Sequence, residues 1–138
     1  MPQTITTGIR TLVADAEREI ETLSFEDAVK LSGRDDVLFV DVRDIRELGR
    51  DGKMPGAFHC PRGMLEFWID PDSPYYKDIF AQEKKYVFFC AGGLRSALAA
   101  QTAQRMGLKP VAHLKDGFGG WKKLGGPVEA PESKPAKS

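Results

Sequence analysis

The sequence predicts an α/β domain with a mainly parallel central sheet flanked by helices. The first observation is a set of three short, unbroken apolar runs, at residues 37–40, 86–89 and 111–114. Such runs are typical of parallel strands that are covered on both faces. The second observation is that a helical pattern follows each run, at residues 45–50, 95–106 and 117–124. Since strands that alternate with helices pair in parallel, these segments indicate one sheet.

The N-terminal segment has the pattern of an amphipathic helix. Residues 10–21 are strong helix formers, and their apolar members are spaced to make one stripe: Leu12, Val13, Ala16 and Ile20. Acidic residues occupy the other face, which favours a solvated helix docked on the domain; a dimerisation or partner helix is the alternative. Residues 1–21 are therefore interpreted as an N-terminal helical extension, and residues 22–128 as the domain itself.

The remaining segments are shorter or irregular. Ser24 has the character of an N-cap, so a short helix is expected over 24–31. The stretch 54–80 cannot be one regular element, because it is interrupted by Pro55, Pro61, Pro71 and Pro74. Within it, residues 63–69 favour a helix. The tail, 129–138, is rich in proline, serine and charge, and is predicted to be disordered.

Composition and charge exclude several classes of function. The chain has 138 residues, enough for one domain, and its 20 Lys and Arg residues balance its 20 Asp and Glu residues. Nucleic-acid and anionic-membrane binders need a basic excess, so neither partner is expected. No run approaches the roughly 18 apolar residues of a membrane helix, and the start of the chain lacks the features of a secretory signal. We expect a cytoplasmic protein with two reduced thiols, Cys60 and Cys90, and with no metal or other cofactor.

Polar residues and loops meet at one edge of the predicted sheet. Ligands of open α/β sheets bind at the carboxyl ends of the strands. Asp41, Cys90 and the loop 115–117 each follow one of the apolar runs. We therefore expect the functional site at this edge.

The strongest functional signal is the loop that begins at Cys90, between a predicted strand and an alanine-rich helix. Gly92 and Gly93 let the backbone curl tightly and turn successive N–H groups inward. Unpaired amides at the start of the helix add positive potential to the same place. If the Cys90 sulfur points there, its thiolate is stabilised and is nucleophilic without a histidine base. The alternative is an inert, buried cysteine at a strand end.

The residues expected to surround a bound anion are Ala91, Gly92, Gly93, Leu94, Arg95 and Ser96. Arg95 supplies a fixed positive charge that can fork onto an oxyanion. Ser96 can either cap the following helix or donate to the anion, and capping is favoured.

Several separated segments carry a resemblance to a known family. They read FVDVR at 39–43, GKMPGA at 52–57, CAGGLRS at 90–96, LKDGFGGW at 114–121 and GPV at 126–128. In this order, over about residues 20–128, they resemble the motifs of the rhodanese-like family of single-domain sulfurtransferases. Glu47 stands at the usual acidic position of that family. Lys53 stands where histidine is common, and Asp116 replaces a glycine.

The resemblance implies a three-layer rhodanese-like domain in which Cys90 is catalytic. It implies that Cys90 attacks a sulfane sulfur, carries it as a persulfide and passes it to cyanide or another thiophilic acceptor. Arg95 would orient an anionic donor such as thiosulfate, while Asp41 and Arg43 would hold the loop through hydrogen bonds. The implied partners are a small anionic sulfur donor and a protein that carries a thiol or persulfide.

Two alternatives belong to other classes of function. Phosphatases and arsenate reductases of the same fold use the signature C-x5-R, whereas four residues separate Cys90 from Arg95. The smaller ring favours a single sulfur atom over a phosphate group. Phe89 also stands where tyrosine phosphatases commonly have histidine. The second alternative is a non-catalytic docking or regulatory module, but such copies commonly lack the cysteine that this chain retains.

Other reactive or aromatic side chains are interpreted as structural. Cys60 is expected to be a small packed residue that ends a strand, with a resolving thiol for Cys90 as the alternative. His59 and His113 are expected to be structural or exposed. The aromatic residues of the proline-rich stretch are expected to form core or pocket wall: Phe67, Trp68, Tyr75 and Tyr76.

Overall fold

Strands and helices alternate along residues 2–131, which are the residues that the computed structural model describes. The strands are β1 (Glu21–Leu23), β2 (Val37–Asp41), β3 (Phe58–His59), β4 (Lys85–Phe89) and β5 (Val111–Leu114). The helices are α1 (Ile9–Glu19), α2 (Phe25–Leu31), α3 (Ile45–Asp51), α4 (Leu65–Ile69), α5 (Leu94–Arg105) and α6 (Gly117–Lys123). Short 3-10 turns cover Arg62–Met64 and Asp78–Ala81.

The five strands form one sheet in the order β1-β5-β4-β2-β3, and every pair in it is parallel. The predicted parallel sheet is therefore confirmed, and the three apolar runs are its central strands. Of the two edge strands, β1 was not predicted, whereas β3 lies directly before Cys60, where a strand end was expected. β1 has one buried residue in three, and β3 has only two residues, so neither carries an apolar run.

Alternating side chains of the central strands enter two separate cores. Val40 and Phe88 face a core that includes the alanine stripe of α5. Phe39 and Val87 face the opposite core, which includes α2 and the Trp121 side chain of α6. Because a strand directs successive side chains to opposite faces, each apolar run serves both cores. Helices thus cover both faces of the sheet, and the predicted three-layer architecture is confirmed.

The N-terminal helix lies against α5. Val13 and Ala16 of α1 are buried against Ala97 of α5. At the end of α1, the Glu19 carboxylate forms an ion pair with Arg105 at 2.9 Å. The helix ends at Glu19 rather than at the predicted residue 21, because Glu21 already belongs to the edge strand that pairs with β5.

The end of the described chain returns to the domain. Glu129, the first residue of the predicted tail, exchanges two backbone hydrogen bonds with Lys53, at 2.8 and 3.0 Å. Residues 132–138 of the predicted tail lie outside the described residues. Across the described range, no helix has the length and apolar character needed to cross a bilayer.

Candidate active site

The carboxyl ends of β2, β4 and β5 lie side by side and bring the predicted functional segments together. Asp41 at the end of β2 is in register with Phe89 at the end of β4. Cys90 follows directly, and a loop of three residues connects it to α5. Lys115 begins the loop after β5. The edge of the sheet that the sequence pattern indicated is therefore where Cys90 lies.

The Cys90 sulfur lies inside its own loop. Its Sγ accepts a hydrogen bond from the Gly93 backbone N–H at 3.2 Å, and its thiol donates to Ser96 Oγ at 3.7 Å. Only 1% of Cys90 is exposed, so a reagent reaches the sulfur only when the surrounding residues give way locally. We expected several backbone N–H groups of residues 91–96 to point at the sulfur. Among the described contacts of Sγ, only the N–H of Gly93 does so.

A left-handed glycine makes that contact. Gly93 has a φ of +102° and stands at the N-cap of α5. A Cβ at this position would lie 2.1 Å from the Lys115 carbonyl oxygen, so the loop after β5 leaves room only for glycine. Gly92 and Leu94 are exposed and Ala91 is half-buried, and the described hydrogen bonds include none from the backbone N–H of these three residues to the sulfur.

The first turn of α6 holds the other side of the loop. The Phe118 N–H donates to the Cys90 carbonyl at 2.7 Å, and the Gly119 N–H donates to the Ala91 carbonyl at 3.0 Å. Gly117 has a φ of +65°, and a Cβ there would lie 2.5 Å from the Ala91 carbonyl oxygen. These hydrogen bonds fix the Cys90 and Ala91 carbonyls. The sequence did not indicate this contact between the two loops.

Arg95 is bound to a carboxylate. Its two terminal nitrogens donate to the two oxygens of Glu47 on α3, at 2.8 and 3.1 Å. The hydrogen bond from Arg95 holds the pKa of Glu47 below its usual value. The same bond, with a smaller effect of the Cys90 sulfur, raises the pKa of Arg95. The fork that was expected to receive an anionic donor is therefore occupied in this state.

Asp41 and Arg43 form a buried ion pair behind the site. Arg43 donates to the Asp41 carboxylate at 2.8 Å and to the Gly52 carbonyl at 3.0 Å, and each side chain is 1% exposed. The Arg43 guanidinium stacks over Phe118, with 4.3 Å between its central carbon and the ring centroid. We expected Asp41 and Arg43 to hold the cysteine loop through hydrogen bonds. Their described hydrogen bonds include none to that loop. The pair supports the loop indirectly, because Phe118 binds the Cys90 carbonyl.

His113 occupies a position that sequence reasoning missed. It lies on β5, is fully buried, and places Nδ1 3.0 Å from Ser96 Oγ. Its Nε2 lies 2.9 Å from the Glu17 carboxylate of α1. Burial lowers the pKa of His113, and the hydrogen bond that its ring donates to the Glu17 carboxylate opposes that shift. The inward direction of His113 follows from strand alternation, but nothing local in the sequence indicates Glu17 as its partner.

The second cysteine lies apart from this hydrogen-bond network. Cys60 is fully buried, and desolvation raises the pKa of its thiol to about 12. Its described polar contact is the Pro61 carbonyl at 3.8 Å. His59 bonds to the Arg43 carbonyl at 2.7 Å. Among residues 2–131, no group of His, Cys, Asp or Glu side chains is arranged to hold a metal ion.

The sequence pattern of the rhodanese-like domain family matches residues 24–124. A solved structure of a Rhodopseudomonas palustris protein of unknown function, described as a possible tyrosine phosphatase, is 64% identical. The structural alignment covers 94% of this chain and 99% of the Rhodopseudomonas palustris chain, with a TM-score of 0.91.

Two further relatives carry sulfurtransferase names. The mouse thiosulfate sulfurtransferase/rhodanese-like domain-containing protein 3 is 28% identical over 105 residues. The match covers 72% of this chain and 65% of the mouse protein. The structure of a thiosulfate sulfurtransferase from Pseudomonas aeruginosa is 25% identical with a TM-score of 0.71. The structural alignment covers 89% of this chain but only 22% of the Pseudomonas aeruginosa chain.

The family match covers residues 24–124 and includes the cysteine loop, and the fold has the parallel sheet and covering helices expected for it. This chain belongs to the rhodanese-like domain family.

Proposed function

We propose that this protein is a sulfurtransferase that carries a sulfane sulfur as a persulfide on Cys90. The donor is thiosulfate or a persulfide, and the acceptor is cyanide or a thiol. The observation that carries the proposal is the position of the Cys90 sulfur, which lies near the N-terminus of α5 and accepts the Gly93 N–H at 3.2 Å. Arg95 follows five residues after Cys90 in the same loop and helix. A relative of the family with a sulfurtransferase name supports the same class of reaction.

The reaction divides into two displacements at sulfur. In the first, the Cys90 thiolate attacks the outer sulfur of thiosulfate, and the S–S bond of the donor breaks with its electron pair leaving on sulfite. In the second, the acceptor attacks the terminal sulfur of the persulfide, and the Cys90 thiolate leaves. Both steps place negative charge on sulfur beside the Gly93 N–H, a fixed donor that can hydrogen-bond the anion.

A steady-state assay tests this proposal. Wild type should form thiocyanate from thiosulfate and cyanide, and Cys90→Ser should lose at least about 10³-fold in kcat/KM because the nucleophile is gone. Cys60→Ser is the matched control, since Cys60 is buried and its thiol has no described hydrogen bond with the loop; it should keep its activity. Equal activity in wild type and Cys90→Ser would refute the proposal.

Phosphatase activity is the second candidate, because the Rhodopseudomonas palustris protein is described as a possible tyrosine phosphatase. Two features of this chain oppose it. Four residues rather than five separate Cys90 from Arg95, and Phe89 stands where tyrosine phosphatases commonly have histidine. Hydrolysis of an aryl phosphate that depends on Cys90, without thiocyanate formation, would favour this candidate. A protein with neither activity that binds another protein saturably would instead be a docking module.

A further inference from the structure

A chain of buried hydrogen bonds leads from the Cys90 thiol to the N-terminal helix. The thiol donates to Ser96 Oγ at 3.7 Å, Ser96 Oγ lies 3.0 Å from His113 Nδ1, and His113 Nε2 lies 2.9 Å from Glu17. Ser96 and His113 are fully buried. Glu17 is the outer end of the chain, with a third of its side chain exposed. Four different segments therefore contribute to one continuous network.

The chemistry of the groups gives the network a direction. A carboxylate can only accept, so Glu17 takes the hydrogen on Nε2 of His113. The neutral imidazole then has its lone pair on Nδ1, which accepts the Ser96 hydroxyl hydrogen. With its own hydrogen committed, Ser96 Oγ presents a lone pair to the Cys90 thiol. Every donor in the resting network thus points away from the sulfur and toward Glu17.

We propose that this network is a proton relay in which Cys90 passes its proton to His113 through Ser96, and Glu17 stabilises the imidazolium that forms. The S–H bond breaks and leaves its electron pair on sulfur, while Ser96 Oγ gains that hydrogen and gives its own to His113 Nδ1. The total charge of the network does not change, and no co-reactant is needed. Ser96 contacts the reacting sulfur; His113 and Glu17 act through it as positioning residues. The relay rests on the proposed function only in that Cys90 is the nucleophile.

The surrounding charges are compatible with this transfer. Glu17 is the charged group that acts on His113, and it favours the protonated ring. Arg95 also interacts with Cys90 and is itself compensated by Glu47. A neutral His113 at the start is consistent with the lowering of its pKa by burial. The thiolate and imidazolium that form can then stabilise each other across Ser96.

The pH dependence of Cys90 alkylation by iodoacetamide tests the relay, with peptide mapping to separate Cys90 from Cys60. The plateau rate at high pH reports access to the buried sulfur, whereas the midpoint of the profile reports ionisation. Ser96→Ala and Glu17→Gln should each move the midpoint upward by about one pH unit, since each removes a charge-assisted hydrogen bond from the network. Glu19→Gln is the matched control: Glu19 also joins α1 to α5, through Arg105, but has no described contact with the relay.

The relay is refuted if Glu17→Gln keeps the wild-type midpoint, because the hydrogen-bond chain would then end at Ser96 or His113. Should a variant fail to fold, NMR titration of the wild-type His113 ring gives an independent answer. Alkylation of Cys90 removes the thiolate, so His113 should then titrate at least about half a unit lower; an unchanged titration contradicts the relay.

These outcomes are separable from those of the proposed function. A protein that shows the midpoint shifts but forms no persulfide with thiosulfate has the relay and another activity. A protein that forms the persulfide without any midpoint shift is a sulfurtransferase that ionises Cys90 by another route.

Discussion

Three arginines stand near the carboxyl ends of the strands, and each one lies beside a carboxylate. Arg43 pairs with Asp41, Arg46 with Asp44, and Arg95 with Glu47. These three arginines give the site no net positive field, because their side-chain charges are compensated pair by pair. The uncompensated positive potential at the sulfur comes from the backbone amide of Gly93.

At the residue scale, Glu47 is expected to limit the binding of anionic donors. Glu47→Gln removes the charge that competes with the donor for Arg95, but a glutamine at this position can still complete the capping box of α3. The KM for thiosulfate should fall about threefold to tenfold. Arg95→Ala should raise that KM, and it should affect thiosulfate use more than alkylation of Cys90.

Glu66→Gln is the control for this experiment, because Glu66 pairs with Arg62 on another helix. It should leave the KM unchanged. A Glu47→Gln variant whose KM rises would show that Glu47 positions Arg95 for the donor rather than competing with it.

The buried pair of Asp41 and Arg43 is expected to stabilise the fold strongly. Asp41→Ala leaves the Arg43 guanidinium buried without a countercharge, which costs about 3–5 kcal/mol of the free energy of unfolding. Urea denaturation followed by circular dichroism measures the loss. Asp36→Ala breaks an exposed pair with Arg34 and should leave the midpoint nearly unchanged. Similar losses in both variants would contradict the assigned role of the buried pair.

At the scale of elements, the site is formed where the β4–α5 loop meets the β5–α6 loop. The contact is backbone to backbone: Phe118 and Gly119 donate to the carbonyls of Cys90 and Ala91. Gly93 and Gly117 are the positions where this close approach excludes a side chain. The glycines near residue 117 therefore serve the cysteine loop as well as their own helix.

Gly93→Ala and Gly92→Ala form a matched pair that tests this contact. A Cβ at Gly93 meets the Lys115 carbonyl at 2.1 Å and adopts an unfavourable positive φ, whereas a Cβ at Gly92 meets nothing within 4 Å. Gly93→Ala should lose at least about 2 kcal/mol of stability and most of its thiocyanate-forming activity. Gly92→Ala should keep both. Equal behaviour of the two variants would mean that the loops do not need their close approach.

The central elements could be predicted because their information is local. Each apolar run contains the side chains for both cores. The Cys90 loop is recognisable from its glycines and from its position before a predicted helix. β1 and β3 could not be found in this way, since their pairing depends on neighbouring strands rather than on their own residues. The register of an edge strand becomes visible only once the sheet exists.

At the scale of the whole molecule, distant segments complete the site. Glu17 and His113 are 96 positions apart, and Glu47 and Arg95 are 48 positions apart. Neither pair has a spacing that a sequence pattern can reveal, and only the tertiary fold, in which α1 packs against α5, brings the partners together. The N-terminal helix, which sequence reasoning treated as an extension, thereby contributes a side chain to the network behind Cys90.

The buried His113 should make the stability of the whole molecule fall at mildly acidic pH. Burial lowers the pKa of His113 in the folded state, so the unfolded chain takes up its proton first as the pH falls. This contribution to stability is complete above the ordinary histidine pKa of about 6.5 and is lost as the pH drops below it. Glu47 and Asp44 also have lowered pKa values, but they stay ionised in both states across this range.

Urea midpoints measured between about pH 7 and pH 5.5 check the prediction. The midpoint of wild type should decrease over this interval, and that of His113→Gln should decrease less. A decrease of the same size in both proteins would mean that another group takes up the proton.

The most direct measurement of the central claim is the intact mass of the protein after incubation with thiosulfate. The proposed mechanism predicts one added sulfur on wild type, located on Cys90 by peptide mapping and removed by cyanide. Cys60→Ser should carry the same adduct, and Cys90→Ser should carry none. A wild-type protein without the added sulfur, or a Cys90→Ser variant that still acquires it, would contradict a persulfide on Cys90.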